Sequence, residues 1–179
     1  AQTLNGNAFS PPGYHRCMST GTCVIAIDAG TTGVRARSVH LDGRAPESEY
    51  QEFTQFFPEP GLVEHDVDEI WSAVVATVNA VIERVGRDNI AAIGITNQRE
   101  TVVAWSRSTG EPHGRAIVWQ DRRTADECTQ LELDGLLPMV RERTGLVLDP
   151  YFSGTKFARM LRDRSVAIDG DLALGTIDS

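Results

Sequence analysis

From Cys23 to Asp28 the chain runs Cys-Val-Ile-Ala-Ile-Asp, a short apolar stretch rich in β-branched residues that predicts a buried strand. A Gly-Thr-Thr-Gly turn follows, and Val34 to His40 then alternates in the manner of a half-buried strand. Asp42-Gly43 signals a hairpin, and a third strand is expected within Glu49 to Phe56, before the loop marked by Pro58, Pro60 and Gly61. Strands joined by such turns pair antiparallel. The period then changes. Asp66 followed by Glu69 reads as a capping box, and Ile70, Val74, Val78, Val81 and Val85 recur at helical spacing until Gly86 stops them. Ile90 to Thr96 predicts another buried strand. A helix between two strands implies a right-handed crossover and parallel pairing.

Thr101 to Trp105 and Ala116 to Trp119 predict a further hairpin around Ser108-Thr109-Gly110. Helices are expected over Thr124 to Leu133, Leu137 to Arg143 and Thr155 to Arg164. The order β-β-β-α-β, an antiparallel unit feeding one parallel strand, is the layout of the α/β ribonuclease H-like (actin-like ATPase) domain, a mixed sheet flanked by helices. A doubly wound sheet would alternate strand and helix strictly. Residues 1–22, with a Pro11-Pro12 pair and no apolar run, are expected to be a disordered extension, and residues 23–179 one domain.

Composition narrows the function. A formal net charge of -8 and a pI near 5.0 argue against binding a nucleic-acid backbone. No apolar run is long enough to span a bilayer; the best, Trp71 to Ile82, is broken by Ser72, Thr77 and Asn79. Cys17, Cys23 and Cys128 form no C-x-x-C pair, which fits a reducing compartment such as the cytoplasm. His15, His40, His65 and His113 are scattered without metal-ligand spacing.

Four stretches carry chemistry. In Asp28-Ala-Gly-Thr-Thr-Gly-Val-Arg35 a carboxylate ends a strand, and two glycines and two hydroxyls turn the chain. Such a turn can form an anion-binding nest with a carboxylate beside it for Mg²⁺, and it equally fits an ordinary hairpin. It has neither the lysine of a P-loop nor the third glycine of a dinucleotide fingerprint. Thr96-Asn-Gln-Arg-Glu100 follows the parallel strand, where α/β sheets gather ligands. Arg99 only donates and Glu100 only accepts, a combination suited to adjacent hydroxyls of a polyol or to an incidental surface pair. Trp119 offers an apolar wall or simple core packing. Tyr151, in Asp149-Pro-Tyr-Phe-Ser-Gly-Thr-Lys156, offers a ring and a hydroxyl on a loop. Asp121, Thr124, Ser153 and Thr155 read as possible helix caps, and Tyr50 carries no signal.

Ile27-Asp-Ala-Gly-Thr-Thr32, Gly61-Leu-Val-Glu-His-Asp66 with Glu69-Ile-Trp71, Ala91 to Thr101, Ala116 to Trp119 and Thr144 to Lys156 together resemble the glycerol kinases of the FGGY carbohydrate kinase family. The resemblance runs from about Val24 to Ser179. It implies an ATP-dependent transferase that phosphorylates glycerol to sn-glycerol 3-phosphate and acts in the cytoplasm as a homo-oligomer. By position it implies Asp28 beside Mg²⁺, and Thr31, Thr32, Gly33 and Arg35 against the phosphates of ATP or ADP. Arg99, Glu100 and Tyr151 are implied on the glycerol hydroxyls, with Trp119 on the carbon face. Ala29 and Gly33-Val34 depart from the family's usual Gln and paired serines. Members carry a second actin-like domain and an aspartate base further along, so the resemblance implies a chain cut within the first domain and inactive by itself. A pentulose kinase of the same family, or a non-catalytic polyol-binding module, is the alternative reading.

Overall fold

Alternation along the first strand sends Ile25, Ile27 and Ala29 to one face and leaves Ala26 and Asp28 on the other, and the whole first layer follows from that division. The computed structural model describes residues 22–163 and 166–179. Except for Thr22, the expected disordered extension lies outside the described residues, as do Tyr14, His15 and Cys17. Strands β1 (Cys23–Ala29), β2 (Gly33–His40), β3 (Ser48–Glu52), β4 (Gln55–Phe56) and β5 (Glu64–His65) precede helix α1 (Val67–Val85). Then come β6 (Ile90–Asn97), β7 (Val102–Ser106), β8 (Ala116–Ile117), α2 (Ala125–Leu133), α3 (Leu137–Thr144), α4 (Ser153–Arg162) and β9 (Leu172–Thr176).

The first sheet has the order β3-β2-β1-β6. β1 runs antiparallel to β2, placing Asp28 opposite Arg35, and parallel to β6, placing Asp28 opposite Thr96. This is the mixed sheet expected from the sequence. α1 crosses one face and buries Ile70, Ala73 and Val81 against Ile25, Ile27, Val34 and Ala36. Asp66 caps it by accepting from the Asp68 and Glu69 amides. Glu69 does not complete the capping box, because its carboxylate accepts from the Thr54 amide at 2.8 Å. Asp28, Arg35 and Thr96 lie on the sheet face away from α1.

The third strand expected within Glu49 to Phe56 is β3, and β4 follows it in the same stretch, since the chain leaves the first sheet at Phe53-Thr54 and enters a second, antiparallel sheet ordered β4-β5-β8-β7-β9. Two expectations, the β7–β8 hairpin and a buried β6, are corrected. β9 was not anticipated; it is the long partner of β7, while the expected β7–β8 hairpin is reduced to Val102 opposite Ile117. β6 is not buried. It stands last in the order of its sheet, and Ile93 and Ile95 are 52% and 70% exposed. The expected helices form, α4 starting at Ser153. The second sheet packs Val102, Ala104 and Ile117 on Met160 of α4, which holds the Tyr151 loop against the end of β6.

Candidate active site

The β1–β2 turn closes when the Gly30 amide donates to the Gly33 carbonyl at 3.1 Å. No residue of the turn has a positive φ, so of the two readings left open, a nest or an ordinary hairpin turn, the alternating-handed nest is not formed. What the turn offers an anion is the pair of amides of Thr31 and Thr32, which engage no acceptor among the described residues. Gly33 is required by close approach: a Cβ there would lie 2.5 Å from the Gln51 carbonyl and 2.7 Å from the Tyr50 hydroxyl. Tyr50 is therefore a site residue that sequence reasoning missed. Its hydroxyl meets the Thr32 hydroxyl at 3.3 Å, and its ring carries the Arg35 guanidinium at 4.8 Å, which holds a positive charge beside the turn. Asp28 is exposed at the end of β1, and its carboxylate has no partner among the described residues.

The second cluster forms where β6 ends. Glu100 has φ 66, a left-handed conformation that a non-glycine residue adopts only when its surroundings impose it. Two long-range contacts do so. The Ser153 amide donates to its carboxylate at 2.8 Å and the Ser153 hydroxyl donates to the same oxygen, Oε2. The Lys156 ammonium donates to the Glu100 carbonyl at 2.9 Å and to the Tyr151 carbonyl at 2.8 Å. Lys156 is fully buried, and burial lowers its pKa to about 8. Ser153 thus serves Glu100, not the end of α4, and Lys156 ties Glu100 to Tyr151. The Tyr151 ring meets the Trp119 ring edge to face at 5.7 Å. Arg99 is exposed, and its guanidinium engages nothing among the described residues.

The two clusters touch. The Trp119 indole donates to the Thr31 hydroxyl at 2.9 Å, so the expected carbon-face wall is bonded to the expected phosphate turn. Lys156, the ring contact and the indole bond thus join Glu100, Tyr151, Trp119 and Thr31 in one series of contacts, and Arg99 precedes Glu100 in the chain.

Other candidates fall away. Asp121 is fully buried and accepts from the Val63 amide at 2.7 Å and from Arg123, which fastens β5 to the segment after β8. Thr124 bonds Thr155 at 2.8 Å, so neither hydroxyl caps a helix. A cavity of about 790 Å³ between α1, β6 and β7 is apolar, lined by Trp71, Val74, Ile95 and Trp105, and includes none of Arg99, Glu100, Trp119 and Tyr151. No group of three or more metal-ligating side chains exists among the described residues.

The description "FGGY family of carbohydrate kinases, N-terminal domain" matches residues 23–166. The chain belongs to this family. It is similar to the glycerol kinase of Gluconobacter oxydans, with 53% identity over 167 residues, 90% of this chain and 33% of that protein. The glycerol kinase of Trichlorobacter lovleyi is 54% identical over 162 residues, again 33% of its length. The chain thus spans about a third of the curated relatives it matches. Among solved structures, Plasmodium falciparum glycerol kinase with ADP superposes with a TM-score of 0.78 at 28% identity, over 87% of this chain and 32% of that one. A gluconate kinase from Lactobacillus acidophilus, at 20% identity and TM-score 0.77, shares the fold. The FGGY and actin-like reading of the sequence is therefore borne out. No described helix is long and apolar enough to cross a membrane.

Proposed function

We propose that this chain supplies the polyol-binding wall and the first phosphate-binding turn of an ATP-dependent glycerol kinase, which phosphorylates a terminal hydroxyl of glycerol. The observation that carries the reading is the series of contacts that joins Glu100, whose Oε2 is fixed by Ser153 while Oε1 stays open, to Tyr151 and Trp119, with the exposed Arg99 next to Glu100 in the chain. An acceptor and a fork of donors on consecutive residues suit two neighbouring hydroxyls. Trp119 and the Tyr151 ring cover the carbon side, and the Tyr151 hydroxyl adds a further polar contact. The names of the similar proteins support glycerol over other polyols.

On the nucleotide side, the Thr31 and Thr32 amides and the Thr32 hydroxyl donate to phosphate oxygens, and Arg35 adds charge. The Gly33 backbone completes the turn. Asp28 suits Mg²⁺, which takes one or two carboxylates and fills its other positions with water and phosphate. The ion would neutralise charge developing on the transferred group. The chain's own contribution is positioning: a hydroxyl held by Glu100 and Arg99 beside a turn that holds phosphate. The proton acceptor is assigned outside the described residues, as the family resemblance implies. Reduced, buried Cys23 and Cys128 accord with a cytoplasmic setting.

The test grafts residues 23–166 in place of the matching part of the Gluconobacter oxydans enzyme and follows ADP release with Mg·ATP. Glycerol-dependent turnover is expected, and Arg99→Ala should lower kcat/KM for glycerol by roughly 10- to 1000-fold. An active graft indifferent to Arg99→Ala, or one preferring a pentulose, would refute the reading.

A further inference from the structure

Gly61-Leu-Val-Glu-His-Asp66 is a motif of the family resemblance for which the proposed reaction has no use, and the structure places its histidine in a closed circuit. The Trp119 amide donates to the Thr101 hydroxyl at 3.2 Å, and that hydroxyl donates to Gln98 Oε1 at 3.1 Å. Gln98 Nε2 then meets His65 Nδ1 at 3.1 Å, and His65 Nε2 meets Gln55 Oε1 at 2.7 Å. Gln55 Nε2 donates to the Thr31 carbonyl at 3.0 Å. The indole of Trp119, donating to the Thr31 hydroxyl, closes the ring.

One arrangement satisfies every member. Gln55 spends its N–H on Thr31 and so presents its oxygen to His65, whose Nε2 must carry the proton. Thr101 donates to the Gln98 oxygen, so Gln98 presents N–H to a bare Nδ1. The bonds run head to tail from Trp119 to Thr31 and require a neutral imidazole with its proton on Nε2. His65, Thr101 and Gln98 are 0%, 0% and 5% exposed, so water cannot substitute for a missing link.

We propose that His65 is a positioning residue, the middle link of a ring that holds Trp119 of the polyol wall in register with Thr31 of the phosphate turn. The ring grips both partners of the indole–hydroxyl bond from behind, one by its backbone amide and the other by its carbonyl. Occupancy of one substrate site is thereby felt at the other. The assignment of the two sites rests on the function proposed above; the ring itself does not.

The experiment follows hydrogen exchange of the Trp119 indole N–H by NMR in the 179-residue chain, with His65→Leu and Gln55→Met as ring breaks. Gln55 is only half-buried, so the second variant keeps the test open if the first does not fold. Although neither position touches the indole, its exchange should accelerate about tenfold. Unchanged exchange in a folded variant overturns the proposal. In the grafted enzyme described above, glycerol should lower the KM for ATP, and either ring break should abolish that dependence. Glycerol dependence that survives faster indole exchange also overturns it. Faster exchange in a chain that binds no glycerol would instead uphold the ring and remove the polyol reading.

Discussion

His65 makes a pH prediction whose size follows from its surroundings. It is fully buried, its ring stands edge to face with Phe53 at 5.0 Å, and its polar partners Gln55 and Gln98 are uncharged. Burial lowers its pKa to about 4 from an ordinary 6.5. The unfolded chain therefore takes up a proton near pH 6.5 that the folded chain refuses until about pH 4. Stability from this source is complete above pH 6.5 and is lost as pH falls through that window. At 1.36 kcal/mol per pKa unit the whole window is worth about 3 kcal/mol, of which about 2 kcal/mol is spent between roughly pH 7 and pH 5. His65→Gln removes the titrating group and keeps a side chain able to hydrogen-bond. Urea unfolding of both proteins at those two pH values should show a wild-type decline steeper by about 2 kcal/mol. Parallel declines would refute the reasoning, because His65 would then be titrating as in water.

Gly33→Ala should cost roughly 1–3 kcal/mol by thermal melting, since the added methyl collides with the Gln51 backbone. An unchanged Tm would show that the turn relaxes freely. Lys156→Met leaves the Glu100 and Tyr151 carbonyls without their shared donor and should weaken glycerol binding roughly tenfold by calorimetry. Unaltered affinity would remove Lys156 from the site. In the wild type, burial leaves the Lys156 charge unfavourable below its folded pKa of about 8, while the unfolded lysine keeps its proton to 10.5. Stability should thus rise over that window relative to the Met variant, and a fall would contradict the burial argument.

Much of this was legible in the sequence where one local pattern decides the outcome. The alternation in β1 and β2, the helical spacing of Ile70 to Val85 and the stop at Gly86 all form as read. The departure at Phe53-Thr54 was not legible, because no glycine or proline marks it, and the switch of sheet follows from the pairing of Gln55 with His65. β9 escaped because Leu172-Ala-Leu174 is brief and follows Asp169-Gly170-Asp171, which reads as loop. Exposure of β6 depends on what covers its edge, which its own residues do not encode. At the site, Arg99, Glu100, Trp119 and Tyr151 were marked by residue type and family resemblance, and contacts in the structure join Glu100, Tyr151 and Trp119. Ser153, Lys156, His65 and Tyr50 act on partners distant in the chain, so local spacing carried no sign of their roles.

The chain has three tryptophans, which report on separate places. Trp119 stands at the proposed polyol wall, whereas Trp71 and Trp105 line the apolar cavity beside α1. A glycerol titration of the isotopically labelled 179-residue chain, followed by NMR through its indole and backbone N–H signals, tests the central claim directly. The account predicts saturable shifts at the Trp119 indole and at the Glu100 and Tyr151 amides, with Trp71 and Trp105 unmoved. Shifts confined to Trp71 and Trp105, or none at Trp119 at saturating glycerol, would contradict it.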